Sequence, residues 1–329
     1  MPEERLTIHR NGNRVITRSL AEDVRIGLTA TPKFLLPKYF YDELGSALFE
    51  AVTLLPEYYP TRTEVEILAK RSSEIVSSLE GEIVLVELGS GSAKKTTYLL
   101  DAIFDRQERL TYIPIEISNA ALESSSRKLL DTYPNLKIEA HNGDYADVLK
   151  DIEFDHSKTI LILFLGTSIG NVTVEESIAL LQSIRRTLST GDVLLLGADL
   201  KKSVDILEPA YDDNLGVTAA FNLNVLNHIN RELRADFDIG SFKHIAFYNA
   251  DFGRIEMHLE SLKEQTVVVR DLDQAVVFAE GERIHTENSY KYDSETLLNL
   301  AAKTGFELEA SWHDSESYFR ANLFRPFDL

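Results

Sequence analysis

Four groups of residues in this sequence have the types and spacings that chemistry needs. The first is Glu87-Leu88-Gly89-Ser90-Gly91-Ser92-Ala93-Lys94-Lys95. Its glycines follow an apolar run, Ile83 to Val86, and precede a helix expected from about Lys94. Such a turn lets the backbone approach a ligand, and helix-opening amides favour negative charge or sugar hydroxyls. A dinucleotide site wants G-x-G-x-x-G, and here Lys94 stands at the third glycine position. The second group is a pair of acids at successive strand ends. Glu116 lies about 25 residues beyond the glycine turn, where an acid can take both ribose hydroxyls. Asp144, followed by Tyr145, can accept from an adenine amino group while the tyrosine packs on the ring. Either acid alone reads as a helix cap or loop residue; together at strand ends they read as one site. The third group, Gly166-Thr167-Ser168-Ile169-Gly170-Asn171, matches the G-x-S-x-G elbow and makes Ser168 a candidate hydrolase nucleophile. That reading finds no upstream His-Gly-Gly sequence and leaves the glycine turn, Glu116 and Asp144 without a role; the alternative is a turn capped by Asn171. The fourth is Pro56-Glu57-Tyr58-Tyr59-Pro60, a rigid turn whose tyrosines, expected to be exposed, either line a small-molecule site or pack the loop onto the core.

The elements that must position these residues are legible in the apolar pattern. Strands are expected at Ile83–Glu87, Leu110–Ile115, Leu136–Ala140, Thr159–Leu165 and Asp192–Ala198, with helices near 94–105, 118–132 and 173–188. Five such units make a doubly wound parallel α/β sheet with ligands at the carboxyl ends of its strands. Upstream, residues 1 to about 30 are polar and weakly periodic, a short helix is expected over Gly45–Thr53, and another from Thr63, with Glu64 and Glu66 as acids suited to its first turn. Past Ala198 the pattern changes to a helix over Thr218–Leu233 and antiparallel strands at Lys243–Tyr248, Arg254–Leu259, Gln265–Val269 and Ala275–Phe278. A hairpin from Gly305–Ala310 and Tyr318–Phe324 returns the chain to the sheet. The expected division is residues 1–62 plus 200–288 as one domain and 63–199 plus 289–329 as the other.

Composition limits the partners. With 34 Lys and Arg against 53 Asp and Glu, the net charge of −19 repels phosphate backbones and anionic lipid, so neither nucleic acid nor a membrane surface is expected. No cysteine is present, which excludes disulfides and thiolate chemistry. No signal-like or membrane-length apolar run occurs, and a cytoplasmic monomer is expected. The eight histidines show no helical i,i+4 pair with a third ligand, so no metal site is expected.

Seven ordered segments carry a family resemblance: Leu55–Thr63 (LPEYYPTRT), Glu87–Gly91 (ELGSG) with Lys95, Phe164–Asn171 (FLGTSIGN), Ala210–Val217 (AYDDNLGV), Asn224–Leu233 (NVLNHINREL), Arg254–Met257 (RIEM) and His285–Tyr292 (HTENSYKY). Over nearly its whole length the chain resembles the histidine-specific Nα-methyltransferases of ergothioneine biosynthesis, whose product is hercynine, the trimethylbetaine of histidine. The resemblance implies a Rossmann-like class I methyltransferase sheet, doubly wound with its last strand antiparallel, and a second α+β domain for the substrate, L-histidine. It implies that Gly89, Ser90, Gly91, Lys95, Glu116, Asp144 and Tyr145 hold S-adenosylmethionine. Members often have aspartate and phenylalanine where Glu116 and Tyr145 stand, replacements that keep the chemistry. It further implies that Asn171, Tyr211 and one of Tyr58 and Tyr59 hold the amine and carboxylate, with Tyr58 preferred. Glu287 and Ser289 would bond the imidazole, and Met257 would pack on that ring. The chemistry of amine methylation then needs an acceptor for the amine, Asn171 or a tyrosine, and aromatic walls for the cationic product, for which Tyr41, Tyr58, Tyr59 and Tyr211 are candidates unless they only pack; Asn171 and Tyr41 are the expected catalytic residues. Related members methylate other amino-acid amines, tryptophan derivatives among them.

Overall fold

The computed structural model describes residues 4–10 and 19–327. Fourteen strands occur among them: β1 (Leu6–Arg10), β2 (Lys33–Phe34), β3 (Ile83–Leu88), β4 (Leu110–Glu116), β5 (Leu136–Asn142), β6 (Thr159–Phe164), β7 (Val193–Asp199), β8 (Phe242–Asn249), β9 (Arg254–Ser261), β10 (Gln265–Val269), β11 (Gln274–Phe278), β12 (Arg283–Tyr290), β13 (Phe306–His313) and β14 (Phe319–Pro326). The described residues divide into two compact units, one built on 4–10, Pro60–Lys201 and 291–327, the other on 19–59 and Lys202–Tyr290.

The first unit is an eight-stranded sheet in the order β1-β5-β4-β3-β6-β7-β14-β13. β1 and β3 to β7 run parallel, and β14 enters antiparallel to β7, as the methyltransferase sheet requires. The central strands are continuous apolar runs because helices cover both faces: every residue of β3 and of β7 is buried. The order reverses between β3 and β6, so the turns that follow these two strands flank the crevice where a doubly wound sheet takes its ligand. The five parallel strands read from the sequence are present within a residue or two of their expected ends. β1 corrects the expected division of the chain. Residues 6–10 were grouped with the substrate domain, yet they pair with β5 at the sheet edge, Leu6 opposite Ile138; residues 1–3 and 11–18 of that span lie outside the described residues.

The second unit holds a four-stranded sheet, β2-β12-β9-β8, and the hairpin β10-β11. Helix Val217–Leu233 packs on β8 and β9. Asp213 opens it, its carboxylate accepting from the Val217 and Thr218 amides at 3.0 and 2.7 Å. That capping makes half of the Ala210–Val217 motif a helix start rather than a ligand site. The helix expected from Thr63 begins earlier, at Tyr59, with Pro60 in its first turn where a missing N–H is harmless. Among the described residues no helix is long and apolar enough to cross a membrane.

Candidate active site

In the first unit the glycine turn follows β3 directly. Gly89 and Gly91 adopt left-handed backbone, with φ of +72° and +51°, and a Cβ at either position would meet nothing within 4 Å. The turn is therefore open on the side where a ligand would lie. It is fixed from beneath. The Gly89 amide donates to the Ile115 carbonyl at 2.8 Å, and the Gly91 amide donates to Glu116 Oε2 at 2.8 Å. The other oxygen of Glu116 accepts from the Ser118 amide at 2.9 Å. Burial raises the Glu116 pKa and these amides oppose it. Each oxygen keeps a second lone pair, which is what ribose hydroxyls need. The end of β5 is tied to the same place. Asn142 Nδ2 donates to the Glu116 and Ile117 carbonyls, both at 3.0 Å, and Gly143 N to the former at 3.0 Å. Asp144 then caps the short helix Tyr145–Val148, accepting from Ala146 N at 3.0 Å. Tyr145 lies edge-on to Phe164, ring centroids 5.4 Å apart, and burial keeps its phenol protonated.

Glu87, the acid that opens the motif, faces no ligand. It is buried, both oxygens accept from the Thr96 hydroxyl at 2.9 and 2.8 Å, and the Tyr112 hydroxyl donates to Oε2. Burial raises its pKa to about 7. It pins the helix Thr96–Phe104 to the sheet. After β6 the expected turn appears as a single 3-10 turn, Ser168–Asn171. The Oδ1 atom of Asn171 is buried and has no hydrogen-bond partner. An acceptor left so costs about 1–3 kcal/mol unless a ligand donor meets it.

The second unit gathers the other candidates. Tyr58 and Tyr59, expected to be exposed, are buried, because the turn carrying them packs inward. Tyr58 lies edge-on to Tyr211 and to Phe49, both with centroids 6.1 Å apart, and Tyr41 lies edge-on to Phe49 and Phe221 at 5.6 and 5.7 Å. Tyr59 belongs to a different group. Its hydroxyl accepts from Lys202 Nζ at 2.9 Å, and that ammonium sits 4.4 Å from the ring centre. The Tyr211 hydroxyl and Ser289 Oγ share a hydrogen bond of 2.7 Å. On the same face Glu287 stands directly opposite Met257, across β12 and β9, and a register shift between His285 and Glu287 sets that pairing.

Two features lay outside the sequence reading. His244 holds Tyr211 from behind, its Nε2–H donating to the Tyr211 carbonyl at 2.8 Å while Nδ1 accepts from Asn222 at 2.8 Å. Burial lowers its pKa, which keeps the ring neutral as that pattern demands. Glu256, His258 and His285 also come together, their possible ligand atoms within 4.8 Å of one another on the opposite face of β9 and β12. Pairing across strands is invisible to an i,i+4 search. Glu256 there accepts from Arg254, Asn249 and His258, and His285 Nε2 meets Asn288 Oδ1 at 2.9 Å, a network that already uses most of these atoms.

The chain is 46% identical to the histidine N-alpha-methyltransferase of Mycolicibacterium smegmatis over 305 residues, 93% of this chain and 94% of that protein. It is 42% identical to the protein of the same name from Mycobacterium tuberculosis, with the same coverage. An L-tryptophan methyltransferase of Psilocybe serbica is 28% identical over 85% of this chain and 84% of its own. With a histidine-specific, S-adenosylmethionine-dependent methyltransferase profile matching residues 20–326, the hydrolase reading of Ser168 falls away, and the chain belongs to that methyltransferase family.

Proposed function

We propose that this enzyme transfers three methyl groups to the α-amine of L-histidine, giving hercynine on the route to ergothioneine. The observation that carries the substrate is the polar patch of Tyr211, Ser289 and Glu287 beside Met257, which sets a nearly inaccessible carboxylate next to a hydroxyl pair and an apolar side chain. An imidazole offers ring N–H groups and accepts a proton, and a buried carboxylate favours both. An indole offers one donor on a much larger apolar surface. Methyl transfer is expected of histidine and not of tryptophan.

S-adenosylmethionine supplies, when bound, a methyl already activated on a sulfonium. The residues that would hold it are Gly89, Ser90 and Gly91 at the turn, Lys95 at the amino-acid end, Glu116 at the ribose, and Asp144 with Tyr145 at the adenine. The open glycine turn and the remaining lone pairs of Glu116 support this set. The other task of the chain is to hold a neutral amine. An α-amino group titrates near ~8, and the unpartnered Asn171 oxygen supports a role as its acceptor, orienting the nitrogen lone pair. As methyls replace hydrogens the nitrogen becomes a fixed cation. Tyr41, Tyr58 and Tyr211 suit that product through cation–π attraction worth ~0.5–2 kcal/mol. The Lys202 bond to Tyr59 supports Tyr58 as the tyrosine that meets the substrate. An acidic, cysteine-free enzyme acting on a free amino acid is proposed to work as a cytoplasmic monomer.

The test is a product mass spectrum of the purified protein with S-adenosylmethionine and a panel of amino acids. Trimethylated histidine is expected; a methylated tryptophan with no histidine product would overturn the assignment.

A further inference from the structure

Glu64 has no exposed surface, yet it is an acid in the first turns of the helix Tyr59–Ser77. Its Oε1 accepts from the Gly166 amide at 2.7 Å, and its Oε2 pairs with the Lys95 ammonium. Space for the carboxylate exists because residue 197, on β7, is glycine: a Cβ there would stand 2.4 Å from Glu64 Oε1. The two partners are not neighbours in sequence. Lys95 precedes the helix that follows the glycine turn after β3, while Gly166, with φ +74°, opens the turn after β6 that ends in Asn171. β3 and β6 are adjacent parallel strands at the point where the sheet order reverses. One buried carboxylate therefore joins the two turns that flank the ligand crevice of this sheet.

We infer that Glu64 is a positioning residue of the methyl-transfer reaction: it holds Lys95 for the cofactor and holds the Gly166–Asn171 turn so that Asn171 keeps its place. The inference rests on the reading that this crevice takes S-adenosylmethionine. A buried carboxylate needs compensation, and here both compensating groups lie on functional turns. Gly166 adds to the constraint. Its left-handed backbone, φ +74°, disfavours any side chain, and a Cβ there would be in contact with Lys95 Nζ at 3.4 Å and Ser168 Oγ at 3.8 Å.

The two halves separate by substitution. Glu64→Gln keeps an oxygen for the Gly166 amide but turns an NH2 toward Lys95; Glu64→Ala removes both contacts. Glu64→Gln should weaken S-adenosylhomocysteine binding, read by calorimetry without histidine, by about tenfold, the scale of a charged hydrogen bond. In a Lys95→Met background the same substitution should change that affinity by less than about twofold, since it acts through Lys95. Glu64→Ala should in addition lower kcat at saturating cofactor by more than about tenfold, and this loss should not add to that of Asn171→Ala. Should Glu64→Ala not fold, Glu64→Asp takes its place: it keeps the charge but not the reach, and should spare cofactor affinity more than kcat. A folded Glu64→Gln protein with unchanged affinity, or an effect of equal size with Met at position 95, would overturn the inference, because a merely structural acid would shift stability alone. Failure of the histidine assignment would instead appear as the wrong methylated product, with these cofactor affinities still readable.

Discussion

The stability cost of substituting Gln for Glu87 should fall as pH rises. The carboxyl is fully buried beneath the glycine turn, and desolvation raises its pKa from 4.5 to about 7, against the opposing hydrogen bonds of Tyr112 and Thr96. Because the folded pKa lies above the unfolded one, the folded state binds more protons between these values. Stability from this group is therefore present at low pH and is lost as pH rises through about 7. Integrating one site with these two constants gives a loss of about 2.5 kcal/mol between about pH 5 and about pH 8. Gln is close in shape and does not titrate, so every other group cancels in the comparison of variant with wild type. At about pH 5 the wild type should be the more stable protein, because its protonated carboxyl donates to Thr96 or Tyr112 while the amide has one donor too many. By about pH 8 the difference should shrink by about 2.5 kcal/mol, to near zero or in favour of Gln. Urea unfolding of both proteins at several pH values, followed by a probe in the large sheet, measures this. A difference that does not vary with pH would refute the assignment of a raised pKa to Glu87.

Three further outcomes are expected. Gly91→Val should lower S-adenosylmethionine affinity by more than about a hundredfold in calorimetry, because its Cβ would occupy the open side of the turn and its φ of +51° disfavours a branched residue. Ser168→Ala should cost methyl transfer no more than about tenfold, the worth of one hydrogen bond; absent methyl transfer together with an esterase activity that vanishes in this variant would be the result that makes Ser168 a nucleophile. Glu287→Ala should raise the histidine KM at least about tenfold while leaving cofactor affinity unchanged, and adding Met257→Val should narrow the gap between histidine and tryptophan; steady-state kinetics with unchanged KM and discrimination would remove Glu287 from the imidazole.

The sheet was legible because its central strands are buried on both faces and so carry runs such as Ile83-Val84-Leu85-Val86 that no solvated element tolerates. β1 was not. Leu6-Thr7-Ile8-His9-Arg10 is half exposed at an edge, and only its parallel partner 130 residues downstream gives it a place. Glu116 and Asp144 were readable from strand ends, where the fold class itself predicts ligands. An acid suited to a helix dipole describes Glu66, half-buried and paired with Lys70 at 2.7 Å, and misses its neighbour Glu64, which has no exposed surface. Local sequence cannot tell these two acids apart. The distinction lies in Gly197, Lys95 and Gly166, residues brought to Glu64 by tertiary packing. The tyrosine pair shows the same limit from the other side: spacing identifies Tyr58 and Tyr59 together, whereas packing sets Tyr59 against Lys202 and Tyr58 against Tyr211 and Phe49.

Glu64, Glu87 and Glu116 share one physical logic. They are 0%, 3% and 8% exposed, so three of the charges behind a net −19 lie inside the first unit rather than on its surface. Burying a carboxylate is costly unless donors surround it. Turns that approach a ligand have the complementary problem, since their amides have no helix or strand partner and must not be covered from the ligand side. A carboxylate beneath the turn solves both: Glu116 takes the Gly91 amide, Glu64 takes the Gly166 amide, and Glu87 takes the hydroxyl of Thr96 where the next helix begins. Glycine is required on the ligand side and acid on the other, so the motif's glycines and these glutamates are two halves of one device. Of the three acids only Glu116 is proposed to meet the cofactor, through the lone pairs its two amide partners leave over. Its replacement should be felt first in cofactor affinity, that of Glu87 in stability against pH, and that of Glu64 in affinity and turnover together.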